Sequence, residues 1–308
     1  MPNEPAPPRF DPPRALPAGA RPRILPLTLA DGYPTYVAAY DAPACPARAP
    51  VVYLHGIQSH PAWFASSAAH LAAGGHPVFQ IARRGSGANT RDRGHAASAA
   101  QLLDDLHRAV DFARDHGAAP RVHLVAVSWG GKLAAAYALD PGRAQALASV
   151  TLVAPGLVPQ VDLGPIVKAR IALCLLCRPR ALFDIPLNRA DLFTDNRAIR
   201  TWLDADPLRL HRATARFLYV SRRLDATRAG APRGSLAGPT TLLLARRDRI
   251  IDNPRTRELV DRLTAGRASV RELDAAHTIE FEDDPADFYG ALLDSLSGPR
   301  PPHPIDLV

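Results

Sequence analysis

The chain has 308 residues, of which 47% are hydrophobic, 22% charged and 6% aromatic. This length and composition suffice for one large domain or two ordinary ones with packed cores, and they exclude collagen, a coiled coil and wholesale disorder. The net charge of +7 comes almost entirely from arginines scattered among acids, with Lys132 and Lys168 the only lysines, so we expect no nucleic-acid partner.

Segments without apolar periodicity lie at both ends of the chain. Residues 1–20 and 298–308 are rich in proline, and we expect a disordered tail at the start and a flexible tail at the end. The start shows no apolar region typical of a secretory signal, and three cysteines are too few for a full disulfide framework. We therefore expect a cytoplasmic protein.

Between the tails, the pattern changes from a hairpin to alternating strands and helices. Alternating runs at 23–29 and 33–40, separated by an Asp-Gly turn, predict an antiparallel hairpin. Short apolar runs typical of buried parallel strands then alternate with helical stretches. These runs are 51–55, 76–82, 121–127, 149–154, 240–245 and 268–273. The sequence therefore predicts an α/β fold with a mostly parallel sheet flanked by helices.

Residues 156–238 interrupt this alternation. The segment is rich in arginine, leucine and proline, is mostly helical in pattern and shows no clear strand. Because it follows a parallel strand, it leaves the sheet at the carboxyl edge, where open α/β sheets bind ligands. We predict a core formed by 21–155 and 239–297, with 156–238 as a helical cap inserted between two strands.

The run RVHLVAVSWGGKLAAAYAL predicts a sharp strand-to-helix turn at Ser128. Small residues at Ala126, Gly130 and Gly131 let the strand and helix approach closely, so that the serine hydroxyl projects from the sheet edge. A serine among small residues is also common at ordinary turns of this kind, so this pattern alone does not establish a nucleophile.

Candidate partners for the serine follow two later strands. Asp248 comes just past the fifth apolar run and His277 just past the sixth. A serine nucleophile needs a base, and the base needs a carboxylate that orients it. Ser, then Asp, then His is the order found in α/β hydrolases. We predict Ser128, Asp248 and His277 as the catalytic residues. Asp252, which precedes a helix, and Asp274, close to the histidine in sequence, are rival acids.

Acyl transfer also needs two backbone N–H groups directed at the oxyanion. The turn after the first apolar run, His55 to His60, puts irregular backbone at the sheet edge, where Gly56 permits close approach. We predict the amides of Ile57 and Trp129 as the donors. A tight turn with a buried histidine is the alternative interpretation of this segment.

Together, the segments HGIQSH, ARRGSG, AVSWGG, ARRDRIID and AAH resemble the α/β-hydrolase superfamily and are most similar to its monoacylglycerol lipase and lysophospholipase-like branch. The resemblance runs from about Pro50 to Gly298 and excludes the tails. In the cap, LFTDN, DPLRL and ATARF resemble lid segments of that branch. The roles that the resemblance implies are nucleophile for Ser128, acid for Asp248, base for His277 and oxyanion donors for Ile57 and Trp129. No metal or organic cofactor is implied.

Two positions depart from the family pattern. Ala82 stands where the family often has the aspartate of a D-x-R-G-x-G segment, which puts any loop-bracing role of that carboxylate in doubt. Ala126 replaces the first glycine of the usual G-x-S-x-G, a milder change.

Cys174 and Cys177 form a C-x-x-C pair within an apolar stretch of the cap. Zinc would need two further ligands, and Cys45 is distant, so we expect packing of a cap helix rather than a metal or redox site. An acyl-lining or membrane-facing surface is an alternative for the leucines beside them.

The sequence thus predicts a serine hydrolase that cleaves a carboxylic ester, with a monoacylglycerol, a lysophospholipid or a similar acyl ester as its partner. Alternatives are an acyltransferase, an amide or C–C bond hydrolase with the same triad, and a non-catalytic small-molecule receptor on the same fold. The arginines and leucines of the cap would also suit transient contact with a membrane surface.

Overall fold

An antiparallel hairpin begins the structure, which is a computed structural model that describes residues 10–17, 19–43 and 48–297. Its strands are β1 (Arg23–Thr28) and β2 (Pro34–Tyr40). The second strand also pairs antiparallel with residues of the main sheet, Val37 opposite Ile81 and Tyr40 opposite Val78. The predicted hairpin is confirmed, and it extends the sheet by two strands.

The main sheet has eight strands, of which six run parallel. Besides β1 and β2 it contains β3 (Val51–Leu54), β4 (Val78–Ile81), β5 (Val122–Val127), β6 (Leu147–Val153), β9 (Thr240–Ala245) and β10 (Ser269–Leu273). Two further strands, β7 (Leu182–Asp184) and β8 (Arg212–Thr214), form a small sheet of their own. The order in the main sheet is β1-β2-β4-β3-β5-β6-β9-β10, and all neighbours from β4 to β10 are parallel. Every residue of β3, β4 and β5 is buried, as expected for strands covered on both faces. The predicted α/β class is confirmed.

Nine helices accompany the strands in the described part of the chain. They are α1 (Ala65–Ala73), α2 (Ala99–His116), α3 (Trp129–Ala138), α4 (Pro141–Ala144), α5 (Pro165–Cys177), α6 (Arg197–Ala205), α7 (Ala215–Ala229), α8 (Asn253–Thr264) and α9 (Ala286–Leu296). Several helices have a side-chain N-cap: the Ser98 hydroxyl accepts from the Gln101 amide at the start of α2, and the Asp252 carboxylate accepts from the Arg255 amide at the start of α8. Both helices connect parallel strands of the sheet.

Part of the proline-rich start of the chain lies against the core, which differs from the tail expected over 1–20. Phe10 and Leu16 are partly buried against the main hydrophobic cluster. The Arg14 guanidinium donates to the carbonyl oxygens of Glu282 and Asp283, so apolar contact and a charged donor together fix this segment. Residues 1–9, 18, 44–47 and the predicted tail 298–308 lie outside the described residues.

Between β6 and β9 the chain forms α5, α6 and α7 above the carboxyl edge of the sheet, where we expected the cap over 156–238. The expectation that this segment holds no strand is wrong, because β7 and β8 pair antiparallel. Each has only three residues, LFD and RAT, too few for an alternating pattern to be visible in the sequence. Ile171, Phe183 and Ala215 form a small hydrophobic cluster here, separate from the main core.

Candidate active site

The turn between β5 and α3 holds Ser128 in a strained backbone conformation, with φ 53° and ψ −124°. Non-glycine residues rarely adopt a positive φ, and such strain is typical of functional turns. The Ser128 amide donates to the Val153 carbonyl at 3.0 Å, which anchors the turn to β6. A Cβ at Gly130 would lie 2.8 Å from the His55 carbonyl oxygen, so glycine is required there. Ala126, in contrast, is fully buried within β5, where its methyl group is accommodated.

Three side chains from three strand ends form a hydrogen-bonded chain. The Ser128 Oγ lies 2.9 Å from His277 Nε2, and His277 Nδ1 lies 2.8 Å from Asp248 Oδ2. A carboxylate only accepts hydrogen bonds, so Nδ1 carries the proton and Nε2 is free to accept from the serine hydroxyl. The His277 and Asp248 side chains are 1% and 0% exposed, which keeps water from competing for these bonds.

The hydrogen bonds of Asp248 distinguish it from the two other candidate acids, Asp252 and Asp274. Its second carboxylate oxygen accepts from the Ile250 and Ile251 amides at 2.8 and 2.9 Å, which fixes the orientation of the group. Asp252 instead begins helix α8. Asp274 is exposed and pairs with the Arg247 guanidinium. Of the three acids, only Asp248 bonds to the His277 ring.

The His55 to His60 turn lies beside the serine, as the sequence predicts. A Cβ at Gly56 would lie 3.3 Å from the Ser128 Cβ, and Ile57 and Trp129 line one cavity together with Ser128. His55 is buried and its Nε2 accepts from the Arg83 amide, 3.2 Å away. Burial, and then the nearby Arg83 charge, hold the pKa of His55 well below its ordinary value. The ring therefore stays neutral and braces the turn.

Sequence reasoning did not identify Arg83, the second residue of ARRGSG. Its guanidinium is buried, donates to the Ile57 carbonyl at 3.0 Å and lies 4.7 Å from the centre of the Trp129 ring. Burial lowers the pKa of this arginine to about 10. Arg83 thus contacts both residues predicted to donate to the oxyanion. A cation–π contact across 46 residues leaves no sequence pattern that could have revealed it.

The loop that lacks the family aspartate at Ala82 is braced by other groups. The Ala82 carbonyl accepts from the Thr35 hydroxyl at 2.6 Å and from the Asn89 side-chain amide at 3.2 Å. The next arginine, Arg84, forms a bidentate pair with Asp105 at 2.5 and 2.7 Å. These hydrogen bonds hold the loop in place without the carboxylate that the family often has at position 82.

The three cap segments that resemble lid sequences all contact the core near the serine. The Phe193 ring lies at 6.0 Å from the His277 ring, and Phe217 stacks at 5.2 Å on Trp129. Asp206 accepts from the Trp63 indole at 2.8 Å and bonds to the His60 ring at 3.0 Å. The cap is therefore fixed to the core around the hydrogen-bonded chain.

A cavity of about 780 Å³ extends from Ser128 under the cap. Much of its wall is apolar and comes from the cap, including Val161, Ile171, Leu175 and Leu218. This volume is that of a typical small-molecule site. A smaller void also borders Ser128 and is lined by His277 and the Gly56 turn.

The C-x-x-C pair of α5 holds two free thiols, Cys174 half-buried and Cys177 exposed. Cys174 packs on the small cap cluster, in agreement with the packing interpretation. Within the described residues, no group of three or more His, Cys, Asp and Glu side chains could hold a metal ion. Cys45 lies outside them.

The fold and the residues at its carboxyl edge define an α/β hydrolase. The chain belongs to the hydrolase family described as serine aminopeptidase, S33, whose model matches residues 45–284. No curated protein matches the chain in a sequence comparison.

Solved structures of hydrolases share this fold at low sequence identity. A monoacylglycerol lipase from Paleococcus ferrophilus is 20% identical with a TM-score of 0.74, covering 85% of this chain and 98% of its own. A soluble variant of monoglyceride lipase from Saccharomyces cerevisiae, in complex with a substrate analogue, is 16% identical with a TM-score of 0.79, covering 92% and 98%. A thermostable carboxyl esterase from Bacillus coagulans, in complex with glycerol, is 13% identical with a TM-score of 0.73, covering 89% and 97%.

Proposed function

We propose that this protein hydrolyses a carboxylic ester through an acyl-enzyme on Ser128. The observation that carries the proposal is the continuous hydrogen-bonded chain from Ser128 through His277 to Asp248 at the mouth of a largely apolar cavity. A hydroxyl, a neutral imidazole and a buried carboxylate in this order are the parts that nucleophilic acyl transfer needs.

In the proposed reaction, Ser128 Oγ attacks the ester carbonyl while His277 Nε2 takes the hydroxyl proton. The resulting imidazolium is stabilised by Asp248 and then gives the proton to the leaving alcohol. Water enters, loses a proton to the same nitrogen, and releases the acid from the serine. The amides of Ile57 and Trp129 stabilise the oxyanion in both halves, and Arg83 positions the turn that carries the first of them.

The substrate class that we propose is an acyl ester such as a monoacylglycerol or a lysophospholipid. The apolar wall of the cavity supports an acyl chain as the bound group. The lipases and the esterase that share the fold support the same class by analogy.

The family description names a peptidase, so an amide is the second candidate for the scissile bond. The two candidates separate in a comparison of 1-hexanoylglycerol, an unactivated ester, with an aminoacyl 4-nitroanilide, which carries the free amino group that an aminopeptidase binds. We expect the ester to be cleaved with a kcat/KM at least about 100-fold greater, a difference of roughly 3 kcal/mol in the barrier. Faster cleavage of the anilide would assign the peptidase activity. Excess transfer to an added alcohol would assign an acyltransferase.

Labelling by a fluorophosphonate probe tests the nucleophile. We expect one adduct, located by mass spectrometry on the peptide that contains Ser128. Ser128→Ala should abolish it and His277→Ala should slow it by several orders of magnitude, because the hydroxyl then has no base. Asp274→Asn is the matched control, an exposed acid three residues from the histidine, and should label at the wild-type rate. A folded wild-type protein without adduct would favour the receptor alternative.

We also propose that the outer face of α5 touches a lipid surface during substrate capture. Ile166, Leu173 and Leu176 are exposed large apolar side chains on this helix, and Lys168 and Arg170 lie exposed among them. Apolar residues flanked by cations suit an anionic interface. No helix in the described part of the chain has the length and apolar character needed to cross a bilayer. Co-sedimentation with vesicles containing phosphatidylserine should decrease in Leu173→Asp; equal sedimentation would refute the contact.

A reducing cytoplasm is the compartment that we propose, because three cysteines are too few for the disulfide framework typical of exported proteins. Fractionation of cells that express the chain, with its activity followed in each fraction, tests this location. Recovery of the activity outside the cytoplasm would contradict the proposal.

A further inference from the structure

The cavity next to Ser128 carries a strong positive charge although most of its wall is apolar. Its cations are Lys132, Lys168, Arg222, Arg228 and Arg255, and its acids are Asp162 and Asp225. These side chains have a net formal charge of +3. Both lysines of the whole chain are among them. A pocket for a purely neutral acyl ester has no need of this charge.

The buried part of this charge is a group of three residues, Lys132, Asp225 and Arg228, called here the Lys132 cluster. Lys132 lies on α3, four residues and about one helical turn beyond Ser128. Its ammonium nitrogen is 2.9 and 3.1 Å from the two oxygens of Asp225. Asp225 also accepts from Arg228 Nη2 at 2.6 Å. One carboxylate is thus shared by two cations, which leaves a charge of +1.

The positive charge that remains on the Lys132 cluster is buried and has no counter-charge among the residues of the cavity. The side chains of Lys132 and Arg228 are 10% and 3% exposed, and a buried charge is costly without a partner. The Nε atom of Arg228 has no hydrogen-bond partner among the described residues. Lys132 has three N–H donors, of which the contacts with Asp225 use at most two. The other acid of the cavity, Asp162, is already paired with Lys168.

We propose that the Lys132 cluster binds an oxyanionic group, a carboxylate or a phosphate, carried by the ester that Ser128 cleaves. The inference rests on the proposed ester hydrolysis and specifies its substrate class. Because Lys132 lies about one helical turn from Ser128, the anion is separated from the scissile carbonyl by a few bonds rather than by a long acyl chain. The apolar wall then holds the remainder of the molecule.

Two matched pairs of esters test the proposal on the full chain. In the first, 4-nitrophenyl hexanoate is compared with mono-4-nitrophenyl adipate, which replaces the terminal methyl group by a carboxylate. In the second, 1-hexanoylglycerol is compared with its 3-phosphate. We expect the wild type to have at least about a tenfold greater kcat/KM for the anionic member of one pair, as a charge-assisted hydrogen bond can supply. The pair that responds identifies a carboxylate on the acyl part or a phosphate on the alcohol part.

Lys132→Met should lower this anionic-to-neutral ratio at least about tenfold, mainly through KM, and Lys132→Arg should restore most of it because the charge is kept. Arg223→Met is the matched control, since that arginine is an exposed cation on α7 outside the cavity lining, and its ratio should remain within about twofold of wild type because exposed charges are screened. A ratio that Lys132→Met leaves unchanged would overturn the proposal.

If Lys132→Met does not fold, the kcat/KM ratios of the wild type test the proposal by themselves. An anionic-to-neutral ratio of one or less in both ester pairs overturns it. If the wild type cleaves neutral esters without preference for anions, only this inference fails. If it cleaves no ester of either pair, the proposed function fails with it.

Discussion

Replacing the buried Glu280 by glutamine should remove a loss of stability that the protein suffers as the pH rises. Glu280 lies in a short turn just after His277, where both of its oxygens accept from Ser67 of α1, one from the amide at 2.9 Å and one from the hydroxyl. The residue is 2% exposed. Burial, which the bonds from Ser67 only partly offset, raises the pKa of Glu280 from 4.5 to about 7.

The sign and size of the effect follow from this difference in pKa. Below pH 4.5 the carboxyl group is neutral in both the folded and the unfolded chain, so it costs nothing. Between pH 4.5 and about 7 the unfolded chain ionises first, and the free energy of unfolding falls with rising pH. Above pH 7 both states are ionised and the loss levels off at about 3 kcal/mol.

Urea unfolding of wild type and Glu280→Gln at several pH values between 4 and 8.5 measures this loss. The difference between the two unfolding free energies cancels the contribution of the histidines, so it should change by about 3 kcal/mol in favour of the variant as the pH rises. Glu258→Gln, which changes an exposed carboxylate on α8, is the matched control. Parallel curves for wild type and Glu280→Gln would refute the reasoning.

Three further substitutions test the site and the core that holds it. Asp248→Asn should lower kcat by about 10³- to 10⁴-fold in an ester assay, because an amide cannot hold the His277 tautomer that accepts from the serine; a loss below tenfold would contradict this. Gly130→Ala should lower the free energy of unfolding by about 1–3 kcal/mol, since its Cβ meets a carbonyl oxygen at 2.8 Å. If urea unfolding gave this variant the stability of the wild type, the turn would have to relax around the methyl group without cost. Asp105→Asn should cost about 3 kcal/mol by the same assay, because it leaves the buried Arg84 charge without its main partner; an unchanged midpoint would count against the pair.

Much of the fold could be predicted from the sequence because the central strands of the sheet are buried on both faces. A run such as TTLLLA, buried on both faces, has few interpretations, and the observed β9 has the same bounds as the predicted run. The bond between Asp248 and His277 could be anticipated for a similar reason, since both residues follow parallel strands that end at one edge. The positions of these residues after two parallel strands therefore predict their contact, which their chemical types alone do not.

The features that sequence reasoning missed are those that depend on partners far apart in the chain. Lys132 and Asp225 are separated by 93 residues and meet only because α7 packs on α3. The buried Arg83 resembles a surface arginine in the sequence, because its partners Ile57 and Trp129 are far from it along the chain. Three-residue strands such as β7 and β8 are too short to show an alternating pattern and depend on pairing with each other's backbone.

The separate hydrophobic cluster of the cap has a consequence for how this protein can change. Ile171 of α5 lines the cavity, yet it packs with Phe183 and Ala215 rather than with the main core. Substitutions on this helix can therefore alter the shape of the cavity while the sheet and the residues at its edge keep their stability. At this wall of the cavity, the contacts that shape the bound group differ from those that hold the main core, so a new preference for the proposed acyl group can arise from a few changes in α5.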